Sequence, residues 1–263
     1  EKMEKVIEFK NINKKFDNLK VLENTNFTVN KGEIVCLLGP SGSGKSTLFK
    51  LAAGLMETDS GQIKIDKSLR KGYIFQNPRL LPWKTVEENL IFVQENYLPD
   101  EKAKKIRDKL LKLNGLADSK NNYPAQLSGG MKQRVEIIRG LSILPDLLLM
   151  DEPFKSIDTQ LKVNLRKMLL RFYEKMDLSV LLITHDPEEA VLLADKIFIL
   201  SGKPAKIKKE FVINKPQEKR KLSNDNLYNI IQEIISIFME IVEDYRWDRD
   251  KKTEEIFLQM KGR

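Results

Sequence analysis

Gly39-Pro40-Ser41-Gly42-Ser43-Gly44-Lys45-Ser46-Thr47 is the stretch whose reading decides the fold. The residues before it, Ile34-Val35-Cys36-Leu37-Leu38, form an apolar run of strand length, and the stretch from Lys45 to about Ala53 has helical character. A glycine-rich turn therefore links a buried strand to a helix, which is the context required of the phosphate-binding spacing G-x-x-x-x-G-K-[ST]. Glycines let the backbone wrap closely, so that its N–H groups and the helix N-terminus face phosphate oxygens. On that reading the whole segment Gly39–Thr47 cradles a nucleotide, Lys45 reaches its β- and γ-phosphates, and the Ser46 hydroxyl is placed to ligate Mg²⁺. A plain glycine-rich turn is the alternative.

A second apolar strand, Leu147-Leu148-Leu149-Met150, ends in Asp151-Glu152-Pro153. Two acids thus emerge at the carboxyl end of a buried strand, where α/β sheets place their ligands. Adjacent acids on an extended chain point opposite ways, which permits Asp151 to hold the Mg²⁺ shell and Glu152 to polarise an attacking water. A solvated pair at a strand end is the competing reading. Further strand-like runs at Val6–Phe9, Phe27–Val29, Gly61–Ile65, Tyr73–Phe75, Val180–Ile183 and Ile197–Leu200 are separated, in the second half, by helix-length amphipathic segments. That alternation predicts an α/β core with a parallel sheet. Roughly 84–140 reads as a helical insertion, with apolar Ala103, Ile106, Leu110 and Leu113 at helical spacing. The stretch Asn214–Lys221 reads as a separator before a tail in which Leu227, Ile230, Ile231, Ile234, Ile235, Phe238, Ile241 and Val242 recur at three- and four-residue steps. The tail should be one long amphipathic helix that either lies back on the domain or makes a dimer or regulatory contact.

With 263 residues and 41% hydrophobic content the chain can bury a substantial core. Its apolar runs fall far short of the roughly 18 residues a spanning helix needs, so the chain is not expected to cross a membrane. Glu1–Lys5 carries no apolar stretch of signal length, and export is not expected. Cys36 is the only cysteine, in an apolar strand, which excludes an intrachain disulfide and suits a buried, inert thiol. The net charge of +8 would suit nucleotide phosphates, nucleic acid or an anionic membrane surface, and separates none of them.

Leu127-Ser128-Gly129-Gly130-Met131-Lys132-Gln133-Arg134 closely resembles the signature segment of ABC ATPases. Two glycines and a serine at a helix start form an anion site of N–H groups and a hydroxyl, although such a triplet alone is more often a simple cap. The resemblance, over roughly residues 4–204, implies a P-loop NTPase core of RecA-like type with a parallel sheet, an N-terminal antiparallel β-subdomain, an inserted α-helical subdomain and a C-terminal helical tail. It implies an ABC ATPase domain over 1–204 and an extension over 205–263. ATP and Mg²⁺ are the implied ligands, and a second copy of the chain is the implied partner. Ser128, Gly129, Gly130 and Met131 would bind the γ-phosphate of the ATP held by that copy. Gln76 matches the glutamine that joins the Mg²⁺ and water shell to the transporter contact, a polar loop residue otherwise. Ser156-Ile157-Asp158 falls on the dimer-contacting loop. Phe16 matches the aromatic that stacks on adenine, with a core phenylalanine as the alternative. His185, the only histidine, falls on the switch histidine that senses the γ-phosphate. Two positions depart from the pattern: Met131 stands where a glutamine usually ends the signature, which should weaken polar contacts and retain activity, and Lys155 stands where relatives carry a small residue.

Asn77–Leu90 and Asp186–Asp195 are similar to segments of nitrate/sulfonate/taurine-type importers. That likeness implies a peripheral subunit at the cytoplasmic face of the cell membrane. Its groove beside Gln76 would receive a transmembrane permease, and an extracytoplasmic solute-binding protein would act indirectly. Leu81 and Trp83 would belong to that docking surface, or else serve ordinary lobe packing. A nucleic-acid-linked ABC ATPase is the rival class, against which stand the lack of a coiled-coil insertion and of a second cassette; no nucleic acid is expected as a partner. A noncatalytic subunit is the other rival, and Lys45, Asp151, Glu152 and His185 together argue against it.

Overall fold

A computed structural model describes residues 4–155 and 157–261, with side chains described to residue 243. Ser156 and the segment before Glu4 lie outside the described residues.

The main sheet is centred on β3 (Ile34–Leu38), every residue of which is buried. Its strand order is β5-β6-β7-β3-β8-β9, where β5 is Lys71–Ile74, β6 Leu147–Asp151, β7 Ser179–Thr184, β8 Lys196–Leu200 and β9 Ile207–Val212. All neighbours from β5 to β8 run parallel, and β9 closes the edge antiparallel to β8. A strand covered on both faces needs apolar residues at every position, and β3 sends alternate side chains into two separate cores. Ile34, Cys36 and Leu38 join one cluster, Val35 and Leu37 the other. Burial pushes the Cys36 thiol well up, so it is the inert core residue its neighbours suggested.

A small antiparallel sheet, β2-β1-β4, is built from β2 (Leu19–Asn30), β1 (Lys5–Phe16) and β4 (Ser60–Ile65). It abuts the phosphate loop: a Cβ added at Gly44 would meet Leu22 at 3.0 Å, and Gly44 has φ +85, so position 44 admits only glycine without strain. The insertion is a lobe of three helices, α2 (Val86–Gln94), α3 (Asp100–Leu113) and α4 (Gly129–Ser142), around Val86, Leu90, Leu110, Leu111, Val135 and Ile138. Leu113, expected on the buried face of α3, is exposed. Leu111 is buried instead, together with Arg107, whose guanidinium pairs with Glu87 at 3.2 Å and donates to Gln94 Oε1 at 2.9 Å.

The core does not end at 204. β9 extends the main sheet to Val212, and buried Ala205 exchanges backbone hydrogen bonds with the small sheet, donating to Val21 O at 2.8 Å and accepting from Glu23 N at 3.1 Å. The stretch Asn214–Lys221 is not a free separator either. Arg220 is buried and donates to the carbonyls of Lys215, Val191, Ala194 and Ile213, while Gln217 donates to Asp195 Oδ1 at 2.6 Å. The tail helix α7 (Asp225–Lys261) then lays Leu227, Ile231, Ile234, Ile237 and Ile241 on the core that contains Ile34 and Ala190. Between β6 and β8 the chain forms α5 (Thr159–Met176) and α6 (Pro187–Leu193).

Candidate functional site

Parallel strands converge their carboxyl ends on one edge of a sheet, and the chemistry-bearing residues collect there. The loop after β3 opens α1 (Lys45–Ala52), with Gly42 at φ +84 and Gly44 at φ +85 allowing the tight wrap. Lys45 Nζ folds back to donate to Gly39 O at 2.7 Å and Pro40 O at 2.8 Å. Burial lowers its pKa, against the opposing charges of Glu152 and Asp151. The Ser43 hydroxyl is buried and has no hydrogen-bond partner. A Cβ added at Gly39 would meet it at 2.6 Å, so the loop closes only around glycine.

Asp151 ends β6, buried between its neighbours, and its Oδ1 likewise has no partner. Burial raises its carboxyl, as does the charge of Glu152, while the Ser46 hydroxyl and Lys45 oppose the rise. Glu152 is outside the strand. Its φ of +45 is left-handed, so the two acids separate by a backbone turn and not by the simple alternation of an extended chain. Its N–H still donates to Ile183 O at 2.8 Å, which pins the turn to β7.

Three side chains meet the Glu152 carboxylate. His185 Nδ1 lies 3.1 Å from Oε1, while Gln76 Nε2 donates to Oε2 at 3.4 Å and Lys155 Nζ lies 3.2 Å from that same oxygen. Burial would raise this carboxyl, but Lys155 and His185 outweigh it and hold Glu152 below the usual carboxylate range. Gln76, Glu152 and His185 therefore form one cluster at the ends of β5, β6 and β7, with Lys45 and Asp151 alongside.

The remaining candidates stand outside it. Ser128 Oγ caps α4, accepting from Met131 N at 3.2 Å. A Cβ added at Gly129 would meet nothing within 4 Å, and Met131 turns its side chain against the helical lobe. The link from this helix to the acidic turn is Gln133 Nε2, which donates to Pro153 O at 3.0 Å. Asp158 caps α5 through Leu161 N at 3.0 Å, and Ile157 beside it is buried. Phe16 is 43% exposed at the end of β1, with Lys14 Nζ 5.7 Å from its ring centre, so it is no core residue. Trp83 is 70% exposed, which rules out the lobe-packing reading for that side chain.

Sequence reasoning missed the buried groups that hold these loops. Glu136, fully buried on α4, accepts from Phe75 N and Arg79 N on either side of Gln76 and from Arg139 at 2.7 Å. Asn89 is buried, accepts from Leu81 N at 2.8 Å and donates to the carbonyls of Leu81, Lys84 and Thr85, fixing the loop that presents Trp83. Behind His185, Thr184 donates to buried Glu189, which also pairs with Lys162 at 2.7 Å. The available signal was a Glu or Asn on a helix face that otherwise reads as apolar.

The ABC transporter family model matches residues 22–155. The aliphatic sulfonates import ATP-binding protein SsuB of Bacillus cereus (strain ZK / E33L) is 38% identical over 238 residues, covering 87% of this chain and 92% of that one. The nitrate import ATP-binding protein NrtD of Synechocystis sp. (strain ATCC 27184 / PCC 6803 / Kazusa) is 40% identical over 210 residues, 77% of this chain and 79% of that one. Among solved structures, an ATP-binding subunit of an ABC transporter superposes with a TM-score of 0.74 at 28% identity, covering 86% of this chain and 99% of that one. The dimeric post-hydrolysis state of the ATP-binding cassette MJ0796, bound to ADP and Pi, gives a TM-score of 0.70 at 29% identity, covering 80% and 100%.

Proposed function

This chain belongs to the ABC transporter family of ATP-hydrolysing cassette proteins, and from that premise we propose that it is the motor subunit of an importer, driving uptake of a nitrate-, sulfonate- or taurine-type solute through a separate membrane permease. The observation that carries this reading is the Glu152 cluster. Its Gln76 opens the loop that ends in the exposed Trp83, so the hydrolytic residue and an outward-facing aromatic are joined by one short, buried-anchored segment.

In this mechanism the loop Gly39–Thr47 surrounds the phosphates, and Lys45 exchanges its two carbonyl partners for phosphate oxygens. The unpartnered Asp151 Oδ1 and the nearby Ser46 hydroxyl are hard oxygen donors that fit Mg²⁺, an ion usually held by one or two protein oxygens plus phosphates, with Gln76 joining its water shell. Bound Mg²⁺ would neutralise charge growing on the transferred phosphoryl group. Glu152, kept ionised at neutral pH by Lys155 and His185, accepts the proton of the attacking water. His185 bridges that carboxylate to the γ-phosphate, and Phe16 stacks on adenine. Ser128, Gly129, Gly130, Met131 and Asp158 complete the site of a second copy, where the start of a helix suits an anion and a Cβ added at Gly129 would meet nothing within 4 Å. The cassette works at the cytoplasmic face of the membrane, and no described helix is long and apolar enough to cross one. A solute-binding protein on the far side would select the cargo.

Hydrolysis measured with the reconstituted permease and, separately, with DNA tests this reading. Stimulation by the permease alone is expected, and stimulation by DNA alone would replace the importer with the nucleic-acid-linked class.

A further inference from the structure

Lys155 is the one cation in the Glu152 cluster that the mechanism leaves without a task beyond its charge. It lies three residues after Glu152, its Nζ is 3.2 Å from Oε2, and its side chain is 50% exposed against 12% for its partner. Both oxygens of the carboxylate are covered: Oε1 faces His185, while Oε2 takes both Gln76 and Lys155. A carboxylate that polarises water needs an oxygen free to accept the water's proton. Of the three covering groups, Gln76 and His185 stand at the ends of strands, on loops fixed by buried Glu136 and Glu189. Lys155 is the exposed last residue of the turn that follows Glu152, its N–H donating to Glu152 O at 3.3 Å, and its flexible stem can carry the ammonium back into water at little cost.

We propose that Lys155 is a positioning residue that restrains Glu152: its ion pair holds Oε2 in the resting subunit, and the pair opens before each turnover. This rests on Glu152 being the water-polarising group. The pair is part-exposed, and such pairs shift an equilibrium only a few-fold. Its loss should therefore raise the basal rate modestly and leave nucleotide binding, which the phosphate loop carries, nearly untouched. A lysine whose main work was to attract the nucleotide would show the opposite pattern, a raised KM with kcat unchanged.

The test is steady-state ATP hydrolysis by the isolated full chain as wild type, Lys155→Ala, Lys155→Arg and Glu152→Gln, and as the Lys155→Ala/Glu152→Gln double variant. Lys155→Ala is expected to raise kcat about two- to fivefold with KM within about twofold. Lys155→Arg, which can keep the pair, should stay near wild type. The gain should shrink toward unity between about 0.05 and 0.5 M salt, as screening opens the wild-type pair too. It should vanish in the Glu152→Gln background. An inactive Glu152→Gln with Lys155→Ala unchanged or slower than wild type overturns the restraint alone. A Glu152→Gln variant that turns over at the wild-type rate overturns the assignment of Glu152 itself.

Discussion

Lys45 and Glu152 carry the largest expected effects of any single side chain. Lys45→Ala removes the ammonium that the loop carbonyls now hold and should abolish tight ATP binding while leaving the melting temperature close to wild type. Equilibrium binding of a fluorescent ATP analogue reads this, and unchanged affinity would remove the phosphate-loop assignment. A second effect is purely electrostatic. Glu8, bonded to Lys5 and Lys10, has its carboxyl lowered from 4.5 to about 2. A carboxylate with a depressed folded pKa contributes stability that is fully present above its unfolded value and is lost as pH falls through the folded one. Glu8→Gln should therefore differ from wild type above about pH 4.5 and converge with it toward pH 2, in unfolding midpoints followed across that window. At this scale the motif residues were legible because glycine spacing and strand-end acids have few other uses. The left-handed turn at Glu152 was not, since nothing in Met150-Asp151-Glu152-Pro153 distinguishes an acid that ends a strand from one that has left it.

Among the elements, the loop between β5 and α2 is presented to solvent and held from below, and the two halves of that arrangement predict opposite outcomes. Trp83→Ala removes an exposed ring and should change unfolding free energy by no more than about 0.5 kcal/mol, while permease assembly falls on the order of thirtyfold. Pull-down and thermal melts of the same variant distinguish this from a core role, for which a loss of about 3–5 kcal/mol would be expected. Arg220 is the reverse case. Its guanidinium satisfies buried carbonyls of Val191, Ala194 and Ile213, so Arg220→Ala should cost about 2–4 kcal/mol in chemical denaturation without altering ATP affinity. A cost near zero would mean that the segment before α7 is not clamped through this residue. This clip was illegible beforehand because Arg220 lies within Lys219-Arg220-Lys221, a run that reads as solvated charge. β9 was missed for a related reason: Ile207-Lys208-Lys209-Glu210-Phe211-Val212 alternates weakly, as an edge strand with one wet face must. The apolar period of α7 was legible in part: Leu227, Ile231, Ile234 and Ile241 are buried on the core, whereas Ile235 and Val242 are exposed and Ile237, which was not on the expected stripe, is buried.

For the whole molecule, the decisive feature is that, among the described residues, no hydrogen bond joins Ser128 to the Glu152 cluster. Within one copy Ser128 caps its own helix, which is the ordinary use of such a serine, while a Cβ added at Gly129 would meet nothing within 4 Å. Ser128→Arg should cost about 1 kcal/mol for the lost cap and leave ATP binding by the monomer intact, yet prevent an ATP-dependent dimer. Sedimentation in a Glu152→Gln background reads this, and full dimerisation of the double variant would refute the composite site. The central claim is that hydrolysis depends on Glu152 and is expressed through a dimer. Its most direct test is single-turnover hydrolysis by Glu152→Gln alongside its sedimentation with ATP. The expected result is normal ATP binding, a trapped dimer and a hydrolysis rate orders of magnitude below wild type. A variant that hydrolyses ATP at the wild-type rate would contradict it.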